Sequence, residues 1–419
     1  MRTRFKEFLH GIKQMRGTNV WVFIMYGLLF DMVNNLWRPF SARFLERLGG
    51  GEFEIALLTS LPGAVAALVL LPGAIIFRKF TNKKRATAAF ILISRAVLLF
   101  IAFVPFLPPA VQPLMFLVLV AIMNCPDALS QTSLQSLLGT VFNGSKRGQA
   151  IALRTKFGQA VVPVVTISAG LAITFIPNDE YQRMVLYQIF FIIAFLLGIV
   201  EVYVFNKLQV PTEQTPATDT PATNRVNLKT IFCDRKFLRF FIPALFFLFT
   251  WQAGWPLVNI LIIIEKDASE MWLAIIALVL GATAFFSGTF WQKLLHKRGN
   301  TVIFVAAIGL LGLNMFIFPI VPNMMVMAAI HVITGFSAVG INTALLNGVL
   351  EATPNENRLM YLAFFNTVQN ISLFITPFFA FWLFTVTGLT VALFIIGGLR
   401  FIAMGFVWFM LREAKNGEI

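Results

Sequence analysis

Cysteine and histidine are nearly missing from this chain of 419 residues, which has 2 of the former, Cys125 and Cys233, and 3 of the latter, His10, His296 and His331. The two cysteines are far apart and lie in or beside apolar runs, so no disulfide framework is expected, and no His/Cys grouping has the spacing of a metal site. Charge is scarce as well. Only 12% of residues are charged against 58% hydrophobic, so most of the chain must be solvated by lipid. Acids are the scarcest charges, 19 against 33 Lys and Arg, for a formal net charge of +14. A nucleic-acid-binding domain would gather its basic residues on a soluble fold; here they sit in short loops between apolar runs, and no nucleic-acid partner is expected. A polytopic membrane enzyme, the reading from a different class, would need HExxH, a buried aspartate pair near one face, or a Ser and a His within reach of each other. None of these is present. A P-loop is missing too, and no loop is long enough for an added sensor domain. No cofactor, metal or catalytic residue is expected.

What the chain does have is apolar runs of membrane-crossing length, about 20 residues at 1.5 Å rise for a ~30 Å hydrocarbon core. Twelve are expected, near 19–42, 53–77, 86–106, 112–141, 148–176, 183–206, 237–263, 270–292, 300–320, 323–350, 359–385 and 388–411. The basic N-terminal stretch lacks a short apolar core followed by a small-residue cleavage site, so it is expected to be retained. An even number of spans puts both ends on one side. The loops of that side hold most of the Lys and Arg, and the opposite loops hold Arg43, Arg47, Arg183 and Lys266. By the positive-inside rule both termini face the cytoplasm, in the plasma (inner) membrane of a bacterial cell. The one long connection contains VPTEQTPATDTPATN, which reads as a disordered linker, and the basic NLKTIFCDRKFLRF after it is a candidate for lying along the membrane surface. The expected organisation is a six-helix bundle over 1–206, a linker over 207–236 and a second six-helix bundle over 237–419.

The two halves echo each other. At an offset of 218, Phe23-Ile24 matches Phe241-Ile242, Asn34 matches Gln252 and Trp37 matches Trp255; at 211, Gln131 matches Asn342, Thr132 matches Thr343, Arg147 matches Arg358 and Gln159 matches Asn370. Parallel repeats of this kind are one way secondary transporters are built. Six plus six repeats, a central cytoplasmic linker and cytoplasmic ends together resemble the major facilitator superfamily, over essentially the whole chain. Arg147-Gly148 after span four matches a frequent family feature. The loop after span two keeps Gly73 and the basic Lys83, Lys84 and Arg85 but has Phe77 in the acidic position and Phe80 in place of the second glycine. The matching loop of the second half keeps Gly288 and Lys297-Arg298, with Gln292 in the acidic position. The resemblance implies an all-α polytopic fold, a monomer, and a central cavity lined by spans one, four, seven and ten.

Polar groups within those spans are the candidate site. On the first, Asp31, Asn34, Asn35 and Arg38 fall at i, i+3, i+4 and i+7, one stripe of a helix, with Asp31 roughly 18 Å in from Asn19 at the helical rise. Ionisable groups at such depth usually face a bundle interior or a wet cavity. Asp31 and Asp127, the latter just after Pro126 in span four, are the candidate proton carriers. The alternative for Asp31 is a structural pair with Arg38 or a neighbouring helix, and for Asp127 an ion pair with Arg95. Gln131 joins the candidate solute contacts. Arg154 and Lys156 stand two residues apart on span five, about 200° around the helix, so one can meet an anionic solute while the other snorkels or pairs with an acid. In the second half Trp251, Gln252, Trp255, Asn342 and Asn370 offer hydrogen bonding and stacking. His331 is a weaker proton site, and Glu201 and Arg400, in spans six and twelve, are expected to be structural. The resulting expectation is a secondary active transporter that moves a small amphipathic organic solute by alternating access, with proton-coupled efflux in the lead. Uptake of an organic anion and flipping of a lipid-linked substrate are the alternatives on the same fold.

Overall fold

The computed structural model describes residues 18–78, 80, 82–142, 144–210, 228–354 and 358–416. In hydrocarbon every backbone N–H and C=O must be satisfied within the chain, which leaves helices as the structure open to these apolar runs. Helices are what form: α1 Asn19–Trp37, α2 Ser41–Arg47, α3 Glu52–Arg78, α4 Lys83–Ala102, α5 Gln112–Val141, α6 Gly144–Phe175, α7 Glu180–Phe205, α8 Leu228–Cys233, α9 Arg235–Ile260, α10 Glu270–Arg298, α11 Asn300–Ile317, α12 Met324–Ala352, α13 Arg358–Thr387 and α14 Leu389–Asn416. Among the described residues 11 stretches are long and apolar enough to cross a membrane, and α3 stands where the second of the expected spans falls. The linker's Thr/Pro/Ala stretch lies in 211–227, outside the described residues.

Several starts are set by local chemistry. Thr18, Asn82, Asp179, Asp234 and Asn323 cap α1, α4, α7, α9 and α12, each accepting a hydrogen bond from a first-turn backbone N–H. Such caps satisfy donors that the helix leaves open. The basic stretch before span seven forms the short helix α8, 6 residues long, and after Asp234 its Arg235, Lys236 and Arg239 belong to α9. The first span runs as Asn19–Arg47, with a 3₁₀ turn, Arg38–Phe40, between α1 and α2, where Pro39 supplies no backbone donor to the helix.

The chain divides into two compact units. Unit 1 comprises residues 1–40, 69–108 and 118–215; unit 2 comprises 41–68, 109–117 and 216–419. In unit 1, α1 packs on α6 and α7, and α4 packs on α7. Phe23, Tyr26, Leu137, Phe142 and Phe205 form part of its apolar core. In unit 2, α9 packs on α13 and α14, α11 on α12 and α14, and α10 on α12. Its core is built of rings, with Phe237, Phe240, Phe241, Phe247 and Phe304 among those buried. Unit 2 also contains α2, whose Arg43 donates to Asp267 at 2.6 Å and whose Arg47 donates to Glu270 at 2.8 Å. Asp267 follows a single π turn, Leu261–Glu265, and takes a left-handed φ of 45°, a conformation aspartate tolerates better than most residues.

Candidate functional site

Unit 1 gathers the buried charges of the first half into one network. Asp31 comes from the middle of α1 and Arg154 from α6, and Arg154 Nη2 donates to Asp31 Oδ1 at 2.9 Å. The two helices approach this closely because each presents a glycine at the crossing. A Cβ on Gly27 would collide with the Arg154 side chain, and a Cβ on Gly158 would collide with the Asp31 carboxylate. Small residues at a helix crossing are how membrane helices come close. Lys156, two residues on, is exposed, so of the two cations it is Arg154 that turns to the acid of α1.

Asp127, on α5, takes two arginines at once. Arg38 Nη2 reaches its Oδ2 at 3.1 Å, and Arg95 Nη1 reaches its Oδ1 at a longer 3.5 Å. Arg95, on α4, spends its shorter bonds on Glu201 of α7, with Nε to Oε2 at 2.8 Å and Nη2 to Oε1 at 3.3 Å. This is the paired fork geometry that suits guanidinium to carboxylate. Gly198, one turn before Glu201, leaves the room in which Arg95 lies. Phe30 links the two parts of the network, its ring 5.3 Å from the Arg95 guanidinium and 5.7 Å from that of Arg154.

Three carboxylates therefore meet three guanidiniums, and the network is neutral. Its burial is graded. The Glu201 and Arg95 side chains are 0% and 2% exposed, Asp127 is 12%, and Arg38 is 45%. Asp31 and Arg154 are 18% and 28% exposed. Glu201 and Arg95 form the enclosed end of the network, and Asp31 and Asp127 are its partly exposed acids.

Around this network lie polar groups with no protein partner among the described residues. They are Tyr26 Oη, Asn34 Oδ1 and Trp37 Nε1 on α1, Ser94 Oγ on α4, and Asn124 Nδ2 and Gln131 Nε2 on α5. Native structures leave few such groups buried and unmet. The other halves of the amides are committed locally: Asn34 Nδ2 donates to the Phe30 carbonyl and Asn35 Nδ2 to that of Asp31.

The second-half candidates are less concentrated. Gln252 is buried, its Oε1 accepting from Ser372 at 2.8 Å. Asn370 donates to the Asn366 carbonyl of its own helix. Asn342 is exposed. Trp251 stacks on Phe247 with centroids 5.8 Å apart, while Trp255 is 43% exposed. Two residues set aside in the sequence as structural stand out. Glu201 closes the unit 1 network, and Arg400 is a fully buried cation of unit 2. The signal for both is an ionisable residue in mid-span, which is a site candidate whatever helix carries it.

Comparison with known proteins follows this geometry. The family described as Major Facilitator Superfamily matches residues 20–352. Among solved structures, one of the nucleoside transporter NupG superposes with a TM-score of 0.74 at 12% identity, covering 94% of this chain and 100% of that one. A bacterial homolog of the human lysosomal transporter Spinster, inward-facing and unoccupied, gives 0.66 at 14% identity, with 94% and 96% covered. A D-xylose–proton symporter gives 0.70 at 12%, with 93% and 96% covered. At such identities the likeness is one of fold. No curated protein sequence matches the chain.

Two outcomes are expected from this packing. Arg95→Leu leaves Glu201 buried without its partner and should cost about 3–5 kcal/mol, whereas Arg95→Leu together with Glu201→Leu should recover much of the loss; thermal unfolding of the purified protein in detergent compares them. Gly158→Ala should lower the unfolding midpoint by overpacking, about 1–3 kcal/mol, while Gly281→Ala and Gly398→Ala, whose added Cβ atoms meet nothing within 4 Å, should leave it level or higher.

Proposed function

The chain belongs to the major facilitator superfamily, and on that premise we propose that it is a secondary active transporter that moves a small amphipathic organic solute together with protons by alternating access. Asp31 and Asp127 are its proton carriers in this reading, and Asn34, Asn35, Arg38, Gln131 and Arg154 its solute contacts in unit 1. Trp251, Gln252, Trp255, Asn342 and Asn370 serve in unit 2, and Lys156 is an entry-side charge. The setting is a bacterial plasma membrane with both termini cytoplasmic, the organisation two six-helix bundles over 1–206 and 237–419, and the working form a monomer.

The observation that supports the reading is the partly exposed Asp31–Arg154 pair. An ion pair in a low-dielectric site holds both partners, so a proton arriving on Asp31 releases Arg154. The freed guanidinium is then a cation in want of an anion. Proton and anionic solute thus help each other to bind, which is the logic of cotransport and, down a proton gradient, of uptake. A cationic solute would instead compete with the proton for the same carboxylate, the logic of exchange and efflux. The balanced network of unit 1 favours organic-anion uptake, and the efflux expected from the sequence is the reading for a cation.

The test is transport in proteoliposomes with an internal pH dye, offering organic anions, amphipathic cations and lipid head-group analogues to the wild type, Asp31→Asn and Asp127→Asn. Anion entry with luminal acidification, lost in Asp31→Asn, is the expected result. Luminal alkalinisation on cation entry would establish exchange. Solute movement with no pH signal, unchanged in both variants, would make the two aspartates structural partners only.

A further inference from the structure

Unit 2 holds a buried cation that meets no acid among the described residues. Arg400 lies midway along α14 and is 2% exposed. Its guanidinium donates to three backbone carbonyls, Leu311 at 2.9 Å, Trp251 at 3.2 Å and Thr250 at 3.4 Å. Its Nε reaches no acceptor, and no carboxylate lies within 4 Å of it, among the described residues. The helices concerned explain why. Between their ends α9, α11, α12 and α14 contain no Asp or Glu, since Glu351 and Glu413 stand in terminal turns. Carbonyls offer dipoles but not charge, and buried charges are as a rule paired. In unit 1 each buried arginine has its acid.

The room beside Arg400 is small and specific. A cavity of about 30 Å³ has Arg400, His331 and Thr334 in its lining, with Gly254, Trp255 and otherwise apolar side chains around them. A water needs roughly 10–15 Å³ on this measure, so the cavity admits about two such groups. That suits the two oxygens of a carboxylate and is too little for a phosphate or a sugar ring. Gly254 makes the place for the cation, because a Cβ there would run into Arg400 Nη2. At the rim the half-exposed Trp255 ring offers a face to an apolar body.

We infer that this pocket takes the carboxylate of a small organic acid, with the acid's apolar part against Trp255, so that the solute class is an amphipathic monocarboxylate. The assignment of that class rests on the transporter reading above; the pocket itself does not.

The experiment is ligand binding to the purified full-length protein, followed by thermal shift and tryptophan fluorescence. Acetate, butyrate and benzoate are compared with benzamide, benzylamine, sodium chloride and inorganic phosphate. Saturable stabilisation by benzoate and butyrate is expected, with the amide and the amine silent and the fluorescence change removed by Trp255→Phe. Binding should weaken at least 10-fold in Arg400→Gln and less in Arg400→Lys. Should Arg400→Gln not fold, Gly254→Ala displaces the guanidinium while keeping its charge, and the acid-against-amide comparison in the wild type decides unaided. Equal effects of benzoate and benzamide, no response to any acid, or full competition by chloride at equal concentration would each overturn the carboxylate assignment. Benzoate binding without benzoate transport in proteoliposomes would keep the pocket and sink the transporter reading for that class. Transport of other solutes without acid binding would do the reverse.

Discussion

Charge in a nearly dry interior is the constraint on which the rest of unit 1 depends. Glu201 and Arg95 are almost wholly withdrawn from solvent, and neither is tolerable there alone. Their pairing fixes α4 against α7, and the second contact of Arg95, to Asp127, brings α5 into the same arrangement. From Asp127 the order passes to Arg38 at the end of α1. Through Phe30, packed near both Arg95 and Arg154, it reaches the pair between α1 and α6. Packing among lipid-facing helices gains little from hydrophobic burial, since the lipid is as apolar as the side chains. Polar contacts therefore decide which helix faces which.

The two units solve this problem differently. Unit 1 answers each buried cation with an acid, while unit 2 relies on rings and amides, such as Gln252 with Ser372 and Trp291 donating to the Phe336 carbonyl. Arg400, buried away from α2, rests on carbonyls. The ionisable chemistry is thus uneven: unit 1 joins three acids and three arginines in one network, while unit 2 pairs the arginines of α2 with Asp267 and Glu270 and leaves Arg400 to carbonyls.

Much of this was legible in the sequence. The helices follow the apolar runs, and the spacing of Asp31, Asn34, Asn35 and Arg38 put them along one stretch of α1 and its end, from which Asp31 and Arg38 meet their charged partners. The opposed directions of Arg154 and Lys156 followed from their spacing alone. The partners did not. Nothing local says that Asp31 turns to Arg154 rather than to Arg38, since α1 and α6 are more than a hundred residues apart and their meeting depends on Gly27 and Gly158, each unremarkable by itself. Glu201 and Arg400 were expected to be structural from the spans that carry them, but that reasoning names no partner, and the structure gives Glu201 to Arg95 and Arg400 to backbone carbonyls.

The glycines beneath these charges have a mechanical consequence. Arg154 sits in the notch of Gly27, Asp31 in that of Gly158 and Arg95 in that of Gly198, like keys in slots cut across neighbouring shafts. A keyed shaft can be carried along with its neighbours, but it cannot slip lengthwise past them by a turn without lifting the key out. Between α1 and α6, and between α4 and α7, a lengthwise slip of one turn would first have to lift these side chains out of their notches, which disfavours sliding shear within each pair.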